Sequence, residues 1–98
     1  MATTNKVHEV KCLHEYFTAV IEGRKTFEVR RFDRDYKEGD GLLLVETWKS
    51  GKMTGRAAYC YISYVLPGGA WGIDREYCVL GIKMWHLNRL EITHAESD

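Results

Sequence analysis

A single stretch of this chain carries a helical stripe: Leu13, Tyr16, Phe17, Val20 and Ile21 recur at i, i+3, i+4, i+7 and i+8, the spacing that packs one helix face on a core. Gly23 follows and stops the helix, because glycine alone enters the left-handed C′ conformation at little cost. Every other apolar segment has the character of a strand. Val7 to Cys12 alternate, and Thr26 to Phe32 place Phe27 and Val29 on one side and Glu28 and Arg30 on the other. Leu42 to Trp48 and Arg56 to Leu66, joined through Ser50-Gly51-Lys52, have the form of a hairpin. Pro67-Gly68-Gly69 breaks the second of these, and Tyr77 to Trp85 forms a last strand with Cys78, Leu80, Ile82 and Met84 on its apolar side. One helix cannot supply the crossovers of a doubly wound parallel sheet. The expected fold is mainly β (α+β): a small, mostly antiparallel barrel or strongly curved sheet of about five strands, with the N-terminal helix covering one end.

At 98 residues the chain has room for one domain, expected over 6–87, with a polar C-terminal tail over 88–98. Fourteen Lys and Arg balance fourteen Asp and Glu, so bulk charge predicts no nucleic-acid partner and only a local patch could supply one. Such a patch exists. Between Arg24 and Lys37 six basic residues face three acidic ones, whereas Arg89 stands against Glu91, Glu96 and Asp98 in the tail. No apolar run approaches the roughly 20 residues of a membrane span, and the amino terminus lacks a signal-peptide hydrophobic region, so a cytoplasmic protein is expected. Cys12, Cys60 and Cys78 form an odd set without C-x-x-C, which indicates buried small hydrophobes rather than disulfides. Cys12 and His14 lack two further ligands at suitable spacing, so no metal is expected, and no cofactor either.

The segment with the most chemistry runs from Gly23 to Arg30. Lys25 lies at the helix-to-strand junction, and the pleat of the strand expected there puts Thr26, Glu28 and Arg30 on one face. Two cations can serve a phosphate or carbonyl oxygen, and one carboxylate can accept from an amine edge. Glu46 shares an apolar-leaning face with Leu42, Leu44 and Trp48, so it must be paired, at a cleft, or exposed near the strand end; it is a secondary site candidate. Trp48, Tyr59 and Tyr61 could stack bases, and Trp71, flanked by Gly68, Gly69 and Gly72, is placed for a lid or stacking role.

The pattern G-x-K-x-x-E-x-R at Gly23, Lys25, Glu28 and Arg30 resembles the signature of ASCH domains, a branch of the PUA-like small β-barrels. The similarity extends through HEVKCLHEYFTAV, the KEGD turn before Leu42, the TGR strand start and the closing YCVLGIKMW strand. The chain most closely resembles the small stand-alone proteins grouped as DUF3850. The resemblance implies RNA or nucleotide-like ligand binding in a cleft beside the signature, bordered by Lys25, Thr26, Glu28 and Arg30, with Glu46 and Trp71 as further candidates. Some small ASCH proteins imply instead a metal-independent amidohydrolase acting on N4-acetylcytidine through a lysine, a threonine and a glutamate. Lys25 matches the lysine, Glu28 stands where the threonine falls, Thr26 is the nearby hydroxyl, and the distal glutamate has no counterpart. If the chain is an enzyme of that kind, or a ribonuclease, Lys25 and Glu28 are its catalytic candidates. A protein-interaction module of phage or bacterial origin is the third reading.

Overall fold

The computed structural model describes residues 5–89. Strand β1 (Val7–Leu13) turns His8, Val10 and Cys12 inward and leads straight into helix α1 (His14–Ile21). No side chain caps the start of the helix, but its end is closed by backbone geometry. Gly23 takes φ +80°, its N–H donates to the Val20 carbonyl at 3.0 Å, and the Arg24 and Lys25 N–H groups both donate to the Ala19 carbonyl at 2.9 and 3.0 Å. This is a Schellman motif, and it is the reason a glycine stands there: a Cβ at that φ would strain the turn.

Four strands follow: β2 (Phe27–Arg31), β3 (Gly41–Thr47), β4 (Met53–Pro67) and β5 (Tyr77–Arg89). They make one sheet in the order β1-β3-β4-β5-β2. Three of its four pairings are antiparallel, and β1 runs parallel to β3, with Cys12 opposite Glu46. The expected five strands, hairpin and N-terminal helix are present. Register shifts between Val45 and Thr47, Tyr59 and Cys60, and Ile62 and Tyr64 bend the sheet, since bulges add local twist. The sheet curls into a half-barrel that brings its two edges, β1 and β2, close together. Arg30 and Arg34 span that seam, donating from Nη1 to the Lys11 carbonyl at 3.0 Å and to the Glu9 carbonyl at 3.3 Å.

The core lies inside the curl, where Phe17 and Val20 of α1 pack among Leu44, Cys60, Ile62 and Leu80. Phe17 has no exposed surface, and burying such a ring contributes roughly 1.5–3 kcal/mol. All three cysteines are free and buried. At the barrel end away from α1, Asp40 ties the turn before β3 to β1. It accepts from the Lys37 and Lys6 N–H groups at 3.1 and 3.3 Å and pairs with His8 Nε2 at 2.7 Å. Burial opposes ionisation there, but the His8 bond and the two backbone N–H groups prevail and hold the carboxyl below its ordinary range.

One boundary departs from expectation. β5 continues past Trp85 to Arg89, because its backbone keeps pairing with β4 as far as Arg56. The expected boundary between residues 87 and 88 therefore falls within a strand, and residues 90–98 of the expected tail lie outside the described residues. In β2 the alternation holds as expected. Its apolar residues Phe27 and Val29 face out, and Glu28 faces in.

Candidate functional site

The Schellman motif delivers Lys25 to the start of β2, and the pairing of β2 with β5 sets Glu28 opposite Leu80 and Arg30 opposite Cys78. Glu28 thereby points to the interior and retains only 4% of its surface. A buried carboxylate needs partners. Lys25 Nζ donates to Oε1 at 2.5 Å, and Arg30 Nη1 donates to Oε2 at 3.3 Å. Lys25 Nζ also donates to the Phe27 carbonyl at 2.7 Å and lies 4.9 Å from the centre of the Phe27 ring and 5.7 Å from that of Tyr16. The lysine is thus fixed by a charge, a carbonyl and two aromatic rings.

These groups border a hollow of about 510 Å³ in the seam between β1 and β2, with Tyr16, Phe27, Lys25, Glu28 and Arg30 on its walls and Cys12 among its lining. The volume lies within the range that holds a small organic ligand. Burial, with the Glu28 charge adding to it, pushes the Cys12 thiol up to about 12. Cys12 therefore stays protonated at neutral pH and offers no thiolate nucleophile. The site's resources are two cationic donors, one carboxylate acceptor and two aromatic faces, a set suited to hydrogen-bonding and stacking a flat polar molecule.

Three further residues named from the sequence lie elsewhere. Thr26 precedes the first residue of β2, so the strand alternation that unites Glu28 and Arg30 does not extend to it. It lines a neighbouring hollow of about 290 Å³ with Gly23, Ile21 and Ile82, which Lys25 also touches. Trp71, at φ +60° and 85% exposed, lines neither hollow. Its loop rejoins the sheet at Tyr77, opposite Arg31, the end of β2 away from Lys25.

Glu46 belongs to a second constellation. It is 1% exposed, and its Oε1 accepts from Arg56 Nε at 2.9 Å and from the Thr54 hydroxyl. Its Oε2 accepts from Arg56 Nη2 at 3.0 Å and from His14 Nδ1 at 2.6 Å. Burial raises its proton affinity, but the Arg56, Thr54 and His14 bonds together exceed that effect and bring the carboxyl down to about 2. Because the acid is ionised, Nδ1 of His14 carries a proton and Nε2 is the nitrogen left for other partners. His14, Glu46, Trp48, Thr54 and Arg56 line a hollow of about 270 Å³. His14, Thr54 and Arg56 were not evident from the sequence; the available signal was Glu46 itself, an acid on an inward face that demanded a cationic partner.

Much of the local basic excess is spent on surface pairs. Arg24 meets Glu22, Arg31 meets Glu76, Arg34 meets Asp33 and Lys37 meets Asp35, all on exposed side chains, where such pairs contribute about 0–1 kcal/mol. Among the described residues no group of three or more His, Cys, Asp or Glu is placed to hold a metal ion. No helix among them is long and apolar enough to cross a membrane.

Residues 7–82 match the family described as "Domain of unknown function (DUF3850)". Over 66 residues the chain is 44% identical to the "Uncharacterized 12.9 kDa protein in GpA 3'region" of Escherichia phage P2. The alignment takes in 67% of this chain and 60% of that protein. The matched span of the family contains both hollows in full.

Proposed function

The chain belongs to the DUF3850 family, and from that premise we propose that it is an ASCH-type, PUA-like domain that binds RNA or a nucleotide-like ligand in the seam pocket. One observation carries this reading: Glu28, buried to 4%, holds Lys25 and Arg30 at the rim of a hollow with aromatic walls. A base entering the hollow has an aromatic wall in Tyr16 and Phe27, an acceptor for its amine edge in Glu28 and donors for its carbonyl or phosphate oxygens in Lys25 and Arg30. Holding the cations in advance lowers the ordering cost of binding. The same reading places the domain in the cytoplasm.

The test is calorimetric titration with nucleosides, nucleotides and short single-stranded RNA at increasing salt. Neutralising two phosphates of a single strand gives a slope of about −1.4 in log affinity against log salt, at about −0.7 per phosphate. Lys25→Ala, folded by circular dichroism, is expected to lose binding. Failure of all these ligands at low ionic strength, or full affinity in folded Lys25→Ala, overturns the proposal.

Hydrolysis in the same pocket is a second reading, supported by the pairing of Lys25 with the buried Glu28, an acid and a base within reach of one hollow. Turnover of N4-acetylcytidine or RNA, abolished in Glu28→Gln and Lys25→Ala, would establish it in place of binding alone.

A further inference from the structure

The second hollow repeats the chemistry of the first. Each has a buried carboxylate, Glu28 or Glu46, that fixes a guanidinium at the rim, Arg30 or Arg56. Each adds a second nitrogen group on the same carboxylate, Lys25 or His14, and an aromatic wall, Tyr16 with Phe27 or Trp48. Trp48 is half-exposed and packs its ring 4.7 Å from that of His14, centre to centre. Arg56 gives Nε and one Nη2 hydrogen to Glu46. Among the described residues its remaining N–H groups meet no acceptor, and its guanidinium is held 5.2 Å from the Phe17 ring centre.

The two hollows are adjacent. Leu13 lines the first and His14 the second, and Cys12, in the lining of the first, is in register with Glu46 of the second across β1 and β3. Neighbouring strands lie about 5 Å apart, so the floors are separated by roughly one to two such spacings, about 5–10 Å. The six-bond repeat of a nucleotide backbone bridges a gap of that order.

We propose that the Trp48, His14 and Arg56 hollow is a second nucleotide subsite, so that the ligand of this domain is a single-stranded oligonucleotide with consecutive nucleotides in the two hollows. This rests on the nucleotide-binding reading of the seam pocket. One base stacks on Trp48, and Arg56, with His14 beside it, receives the linking or terminal phosphate. Glu46 acts on the ligand only through the two groups it positions.

The experiment compares mononucleotides, dinucleotides and a six-nucleotide mixed-sequence RNA by calorimetry on the full chain. Wild type is expected to bind the dinucleotides at least about fivefold more tightly than the mononucleotides, since a stacked base contributes about that much or more. Trp48→Leu is expected to lose the dinucleotide gain, and Trp48→Phe is expected to keep most of it. Trp48 is half-exposed and outside the core, so both variants should fold. If dinucleotides bind no better than mononucleotides, or if Trp48→Leu keeps the gain, the second subsite is refuted while Lys25-dependent mononucleotide binding stands. If no mononucleotide or oligonucleotide binds wild type, both readings fall together.

Discussion

Replacing Glu46 by glutamine tests the electrostatic account of the second hollow. The side chain keeps its shape and loses its charge. The wild-type carboxyl lies at about 2 against an ordinary value of 4.5, and that gap, at 1.36 kcal/mol per pH unit, is about 3 kcal/mol of stability at neutral pH. Because the folded value is depressed, this stability is fully present above about 4.5 and is lost as pH falls through about 2. A second effect adds to it. The two carboxylate oxygens accept from Arg56 Nε and Thr54 on one side and from Arg56 Nη2 and His14 on the other. Whichever way the amide is turned, its NH2 group faces a guanidinium N–H of Arg56, which cannot accept. Urea denaturation from pH 7 to pH 2 should therefore show Glu46→Gln less stable by at least about 3 kcal/mol at pH 7, equivalent to a fall of roughly 12–24 °C in Tm for a domain of this size. The difference should shrink steadily below pH 4.5, as wild type takes up the proton that the variant cannot. Other carboxylates such as Asp40 titrate in both proteins and cancel. A difference below about 1 kcal/mol at pH 7, or one that stays constant down to pH 2, would refute this account.

Two further outcomes are expected. The native protein should resist a thiol reagent at pH 8 and react at all three cysteines after denaturation, because burial pushes Cys12 and Cys60 up to about 12 and raises Cys78 too; rapid modification of the folded chain would contradict the packing of the core. Gly68→Ala should lower Tm by at least about 5 °C in a thermal melt, since an added Cβ would lie 2.0 Å from the Asp74 carbonyl oxygen and 2.4 Å from that of Tyr77; an unchanged melt would show that the loop after β4 is not held as described.

The helix, its glycine stop and the five strands were legible because each has its own period, and period is a local property of the chain. What period cannot give is which face turns inward. Phe27 and Val29 face solvent while Glu28 is buried, the reverse of what hydrophobicity favours, because the β2–β5 register aligns Glu28 with Leu80. Lys25, Glu28 and Arg30 could be grouped from sequence since they lie within six positions of one another. The Glu46 group could not: its partners come from the start of α1 and from β4, and the registers of β1 with β3 and β3 with β4 decide that they meet. Glu46 announced only that some partner must exist. Trp71 shows the opposite failure, a suggestive local setting in a loop that emerges at the wrong end of β2.

The arginines that span the seam have a consequence for how copies of this chain behave toward each other. β1 is an outermost strand, and bare carbonyls along such a border are a template on which a foreign strand can assemble. Guanidinium groups from Arg30 and Arg34 already occupy the Glu9 and Lys11 oxygens, so an intruder would have to displace two charge-assisted bonds before making its own. Arg30 thus covers the border beside the pocket it lines, and a variant lacking both arginines would leave the Glu9 and Lys11 carbonyls open to strand addition.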